Sequence, residues 1–142
     1  MIVLLLGSNL GEREACLNAA CGMLEDALRV GLRRTEIMET EAVGFEGPAF
    51  LNMAVAFEAP AGLTPVKLLN LCQKVEVALG RPKHKAVYDA EGRRVYASRT
   101  IDIDILKYDD VVCNTKRLTL PHPQICSRPF AAALLNEILR QK

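Results

Sequence analysis

Residues Ile2-Val3-Leu4-Leu5-Leu6 are continuously apolar, the pattern of a strand buried on both faces. Beyond Gly7-Ser8-Asn9 the period changes. Leu17, Ala20, Cys21, Leu24, Ala27 and Leu28 recur at spacings of three and four, which predicts an amphipathic helix. A second strand is expected around Thr35–Thr40, where alternation is poor, followed by a glycine-punctuated loop from Glu41 to Pro48. Leu51, Met53, Val55 and Phe57 then alternate with Phe50, Asn52, Ala54, Ala56 and Glu58, a clear period of two. Thr64-Pro65 reads as an N-cap with proline at the first helical position. Leu68, Leu69, Cys72, Val75 and Leu79 form the expected buried stripe of that helix, and Gly80 ends it. The polar segment from Arg81 to Ser98 is long for a simple connection. A last strand is predicted over Thr100–Tyr108 with Ile101, Ile103 and Ile105 on one face. A proline-rich loop to Arg128 and a short helix carrying Ala131, Leu134, Leu135 and Ile138 complete the pattern.

Strand, helix, two strands, helix, strand is the order of a ferredoxin-like βαββαβ core. The expected class is α+β, an antiparallel sheet with helices packed on one face plus a C-terminal extension. No linker, like-charge block or long-period repeat interrupts it, so residues 1–142 read as one domain. The composition, 50% hydrophobic and 25% charged, is that of a globular chain rather than a disordered or fibrous one. Lys+Arg 18 against Asp+Glu 17 gives a net charge of +1, which removes bulk charge as a reason to expect nucleic acid or an anionic membrane. The N-terminal apolar run has no basic leader and is too short for a signal or a membrane span, so a cytoplasmic location is expected. The five cysteines (16, 21, 72, 113 and 126) include no CxxC pair. They are expected to be buried free thiols rather than a zinc site or disulfide framework.

The sharpest chemical signal is Arg99-Thr100-Ile101-Asp102-Ile103-Asp104-Ile105. Residues two apart on a strand share a face, so Asp102 and Asp104 stand side by side at ~7 Å between Cα atoms. Adjacent like charges cost energy in a strand. A divalent cation removes that cost, and hard oxygen donors favour Mg²⁺ completed by water and substrate phosphates. The plainer reading is a solvated sheet face. Arg81 and Arg99 flank the basic segment with Lys83, His84, Lys85, Arg93 and Arg94. Guanidinium forks bind phosphate bidentately, and phosphoryl transfer needs such charge stabilisation; lone arginines on a solvated loop are the alternative. Phe50 and Asn52 share a strand face that suits a flat heterocycle, with stacking from the ring and edge bonding from the amide; taken alone the pattern is weak, and simple packing of Phe50 is the commoner reading. Gly7-Ser8-Asn9 reads first as a turn with Ser8 or Asn9 capping the next helix, and second as an anion site. Pro121-His122-Pro123 with Arg128-Pro129-Phe130 reads as a rigid turn bearing groups suited to substrate contact.

These pieces, in this order and spacing, resemble the 6-hydroxymethyl-7,8-dihydropterin pyrophosphokinase family of folate biosynthesis. The segments carrying the resemblance are Gly7-Ser8-Asn9-Leu10-Gly11, Phe50-Leu51-Asn52, Glu76 through Leu79-Gly80-Arg81, Arg99 through Ile105, and Leu120-Pro121-His122-Pro123 with Arg128 and Phe130. The resemblance implies transfer of the β,γ-diphosphate of ATP to the hydroxymethyl group of the dihydropterin, with release of AMP. It implies that Asp102 and Asp104 hold two Mg²⁺ ions and that Arg81 and Arg99 stabilise the transferring group. Thr40, Val43, Phe50, Asn52 and Phe130 would bind the pterin. Leu69, Gln73, Glu76, Tyr96, Ile105, Arg117, Thr119, His122 and Arg128 would surround ATP.

The implied partners are these two small molecules, with no nucleic acid or membrane, and the implied state is a monomer or weak homo-oligomer. Tyr96-Ala97-Ser98 departs from the family's usual Trp-Gly-Pro before the arginine, Phe50 stands where many members have tyrosine, the Arg81–Arg99 segment is longer than in the family, and the chain ends soon after its last helix begins. No general base is assigned. The alternatives are another Mg²⁺-dependent nucleotidyl- or phosphoryl-transfer enzyme and a non-catalytic ferredoxin-like binding module. An RNA-binding version of the latter should show exposed strand aromatics and a basic face. The 5% aromatic content and net charge of +1 argue against it.

Overall fold

The computed structural model describes residues 1–41, 48–80, 87–88, 94–95 and 101–141, with 87–88 and 94–95 described by their backbone alone. Val43, Arg81, Tyr96 and Arg99 lie outside these residues, as do Lys83, His84, Lys85 and Arg93. The elements in chain order are β1 (Ile2–Ser8), α1 (Arg13–Leu28), β2 (Arg33–Arg34), β3 (Met38–Thr40), β4 (Phe50–Phe57) and α2 (Pro65–Ala78). There follow β5 (Val87–Tyr88), β6 (Arg94–Val95), β7 (Asp102–Tyr108), β8 (Cys113–Asn114), β9 (Thr119–Leu120), α3 (Gln124–Ser127) and α4 (Pro129–Arg140). The principal sheet runs β2-β4-β1-β7, with β3 also on β4, and every pairing is antiparallel. The fold is therefore mixed α+β.

The continuous apolar run of β1 follows from its position between β4 and β7, with helices over both sheet faces. On one face Ile2, Leu4, Leu6, Met53, Val55, Phe57, Ile103 and Ile105 cluster with Leu17, Ala20, Cys21, Leu24 and Leu28 of α1. Leu68, Cys72 and Val75 of α2 join the same cluster. On the other face Val3, Leu5, Ala54, Ala56 and Leu106 meet Ala131, Leu134, Leu135 and Ile138 of α4. Burying each large aliphatic side chain contributes about 1.5–3 kcal/mol before entropy is charged against it.

Local chemistry accounts for the element ends. Thr64 caps α2 by accepting from the Lys67 N–H at 3.2 Å, and Gly80 follows its end with φ +105°. The expected cap of α1 is not formed. Ser8 belongs to β1, Asn9 donates instead to the Pro48 carbonyl at 3.1 Å, and Glu12 occupies the N-cap without a side-chain bond. The weak alternation around residues 35–40 reflects an interrupted strand. Thr35 bonds Ala54 through its own N–H at 2.9 Å, and its Oγ1 accepts the Ala54 N–H at 3.0 Å, a place a ladder carbonyl would normally take.

Four smaller expectations also change. Ala27 is exposed rather than part of the α1 stripe, and Leu69 and Leu79 are only half-buried. The cysteines are free, but only Cys21 and Cys72 are buried, whereas Cys126 is exposed. Burial pushes both buried thiols up, with Glu76 and Asp104 adding to the effect at Cys72. In β7 the register slips between Val3 and Leu4, which makes Leu106 an extra residue and returns Tyr108 to the face of Ile103 and Ile105.

Candidate active site

Beyond the rows that α4 covers, the same sheet face carries polar groups. Gly7 of β1 lies opposite Asn52 on one side and Asp102 on the other, and Leu5 lies between Ala54 and Asp104. Strand spacing puts the Asn52 and Asp102 backbones roughly 10 Å apart across Gly7. Asp102 and Asp104 share this face by alternation along β7, and both are half-buried.

Gly7 keeps the row open. A Cβ there would stand 3.1 Å from Asn52 Oδ1 and 3.5 Å from Phe50 Cδ1. Asn52, only 4% exposed, donates through Nδ2 to the Met38 carbonyl at 3.2 Å and to Thr40 Oγ1 at 2.8 Å. With both amide hydrogens committed, its Oδ1 is the end offered as an acceptor. Thr40 pairs with Phe50 in the β3–β4 ladder, so Thr40, Phe50 and Asn52 form one corner. Asn9 at the Pro48 carbonyl and Arg13 at the Ala49 carbonyl (2.7 Å) fasten the start of β4 beside that corner.

At the carboxylate end, His122 is half-buried with Nε2 3.9 Å from Asp104 Oδ1. Burial pushes its imidazole below the ordinary value; Asp102 opposes this shift and Arg128 adds to it. The other oxygen of Asp104 accepts from Gln124 Nε2 at 2.9 Å. Glu76, 6% exposed on α2, accepts the Ile103 N–H at 2.9 Å, between the two aspartates on the sheet's outer strand. Arg117 donates to Gln73 Oε1 at 3.2 Å and Asn70 Oδ1 at 2.7 Å, which joins the β8–β9 hairpin region to α2. Arg128 lies over the Phe130 ring at 6.0 Å, within cation–π range.

Of the residues picked out in the sequence, the structure thus gathers Thr40, Phe50 and Asn52 at one end of the row. Asp102, Asp104 and His122 lie at the other. Leu69 is half-buried against the α1–α2 core, and Thr119 is half-buried in β9. Ile105 is 2% exposed in that core, so only its backbone is available to a ligand. Two residues of the site have roles that the sequence reading misses: Gly7, read there as part of a turn, lies within β1, and Gln124 is not singled out. Gly7 could have been found as a glycine within a strand, which marks close approach; Gln124 is an ordinary polar residue whose contacts arise only in three dimensions.

Among the described residues no group of three or more His, Cys, Asp or Glu side chains gathers as a metal cluster. Two adjacent carboxylates without further protein ligands suit Mg²⁺, which keeps waters and takes substrate phosphates to complete its shell. The donor set fits that ion. Among the described residues no helix is long and apolar enough to cross a membrane.

A family model described as 7,8-dihydro-6-hydroxymethylpterin-pyrophosphokinase matches residues 3–140. The chain is 38% identical over 138 residues to the 2-amino-4-hydroxy-6-hydroxymethyldihydropteridine pyrophosphokinase of Bacillus subtilis (strain 168), covering 96% of this chain and 76% of the relative. It is 37% identical over 140 residues to the protein of the same name from Porphyromonas gingivalis, covering 97% of this chain and 90% of the relative. It is also 34% identical over 139 residues to the folate synthesis bifunctional protein of Arabidopsis thaliana, of which it spans 27%. With a match over nearly its whole length and relatives at these identities, the chain belongs to the 7,8-dihydro-6-hydroxymethylpterin-pyrophosphokinase family and is an enzyme, a pyrophosphokinase.

Proposed function

We propose that this chain transfers the β,γ-diphosphate of ATP to the hydroxymethyl group of 6-hydroxymethyl-7,8-dihydropterin, giving AMP and the pterin diphosphate, as a step in folate biosynthesis. The observation that carries this reading is the row Asn52–Gly7–Asp102, which joins an edge-reading amide to a carboxylate pair on one sheet face. The heterocycle would lie at Thr40, Val43, Phe50, Asn52 and Phe130, with Asn52 Oδ1 accepting from a ring N–H. Leu69, Gln73, Glu76, Tyr96, Ile105, Arg117, Thr119, His122 and Arg128 would surround the nucleotide. The pterin hydroxyl oxygen attacks the β-phosphorus in line, and the bond from that phosphorus to the α,β-bridging oxygen breaks. AMP leaves with that oxygen, and the hydroxyl proton passes to solvent.

Asp102 and Asp104 would hold two Mg²⁺ ions, which when bound neutralise phosphate charge and bridge the nucleotide to the protein. Arg81 and Arg99 would stabilise charge on the transferring group. The strand order and wholly antiparallel pairing support a ferredoxin-like βαββαβ core, with α4 as its extension on the opposite face. We take the 142 residues as one catalytic domain, cytoplasmic and monomeric or weakly self-associating, with no nucleic-acid or membrane partner.

ATP labelled with ³²P at the β-position tests the reaction. The label is expected in the pterin product and not in AMP. Label recovered in free pyrophosphate, with the α-phosphate on the product, would mean nucleotidyl transfer instead.

A further inference from the structure

Gln124 opens α3, two residues after His122, and touches the acidic end of β7 in two ways. Its backbone N–H donates to His122 Nδ1 at 3.1 Å. Its side-chain Nε2 donates to Asp104 Oδ2 at 2.9 Å, while His122 Nε2 stands 3.9 Å from Oδ1 of the same carboxylate. The turn is itself tied to the strand, because the His122 N–H donates to the Leu106 carbonyl at 2.9 Å. Strand, histidine and glutamine thus form a closed ring of contacts around Asp104.

The chemistry of each contact is specific. An N–H directed at Nδ1 needs a lone pair there, so the neutral imidazole carries its proton on Nε2, the nitrogen facing Asp104. A carboxamide donor fixes the plane of a carboxylate and engages one of its lone-pair positions without cancelling its charge. A lysine or arginine in its place would compete with a cation for that charge, and an aspartate or glutamate would repel it.

We propose that Gln124 is a positioning residue, whose side chain orients the Asp104 carboxylate for the metal ion of a metal–nucleotide complex and whose backbone N–H sets the Nε2–H tautomer of His122. The metal half of this proposal rests on the reading of Asp104 as a Mg²⁺ ligand. Outer partners of metal-binding carboxylates are typically worth 10–100-fold in metal affinity. A role confined to packing the turn would leave metal affinity alone.

Binding of α,β-methylene-ATP, titrated calorimetrically across a series of Mg²⁺ concentrations, separates these cases. The full chain is compared with Gln124→Ala, the near-isosteric Gln124→Met and Asp104→Asn. Gln124→Ala and Gln124→Met are expected to raise the Mg²⁺ concentration for half-maximal binding about tenfold, with binding recovered at saturating Mg²⁺. Should the alanine variant not fold, the methionine variant reads the same quantity. Midpoints within about twofold of the parent, while Asp104→Asn shifts strongly, would overturn the proposal and leave the metal site standing. Midpoints unchanged in Asp104→Asn as well would overturn both. Imidazole ¹⁵N resonances of the unmodified protein are expected to show Nε2 protonated in neutral His122; a protonated Nδ1 would overturn the tautomer assignment whatever the variants do.

Discussion

Gly7 lies between Asn52 and Asp102 on neighbouring strands, and its missing side chain leaves Asn52 Oδ1 and Phe50 undisturbed. A methyl group 3.1 Å from Asn52 Oδ1 forces that amide to move by a few tenths of an ångström. The amide is held from behind by Met38 and Thr40, so the movement strains bonds already made. Gly7→Ala is therefore expected to fold, to bind MgATP as before and to bind the dihydropterin about tenfold more weakly, the value of one displaced hydrogen bond. Calorimetric titration of each ligand checks this, and unchanged pterin affinity would remove Gly7 and Asn52 from the pterin site.

At this scale the sequence revealed the residue types more readily than their partners. Asp102, Asp104, Phe50 and Asn52 were legible because period-two alternation assigns faces. The destination of Asn9 was not, since its bond to the Pro48 carbonyl spans a separation that no local pattern encodes. The contact of Gln124 with Asp104, 20 residues away, escaped for the same reason.

Helices α1, α2 and α4 and the long strands followed from their apolar spacing, and the Thr64-Pro65 start of α2 from its capping chemistry, whereas α3, which buries no side chain, falls where the sequence reads as a proline-rich loop. The break between β2 and β3 did not, because it depends on the Thr35 hydroxyl standing in for a backbone group. Nor does a sequence reveal how α2 steadies β7. Glu76 sits in the buried stripe of α2 and satisfies the Ile103 N–H on the sheet's outer strand. Removing that acceptor leaves a buried donor without this partner, at a cost of about 1–3 kcal/mol. Glu76→Ala is accordingly expected to lower the stability measured by urea unfolding by that amount, while Glu76→Gln, which keeps an acceptor oxygen, should lose less than about 1 kcal/mol. Equal midpoints for Glu76→Ala and the parent would show that α2 does not brace the strand through this bond.

For the molecule as a whole, two packed faces divide the labour. One buries β1, β4 and β7 against α1 and α2. The other is covered by α4 at the level of Val3 and Leu5 and carries Gly7, Asn52, Asp102 and Asp104 beyond it. The apolar core of α4 was legible as Ala131, Leu134, Leu135 and Ile138; the sheet face it covers was not, because helical periodicity says which side is buried and never against what.

On the proposed reading, one sheet face brings a pterin and a metal–nucleotide together for diphosphoryl transfer. AMP release from MgATP, followed with and without 6-hydroxymethyl-7,8-dihydropterin in the parent chain and in Asp104→Asn, tests it most directly. AMP formation is expected to depend on the pterin and to fall by at least about a hundredfold in the variant, the lower end of the range for loss of a charge-stabilising group. AMP formed equally well without the pterin, or undiminished in Asp104→Asn, would contradict it.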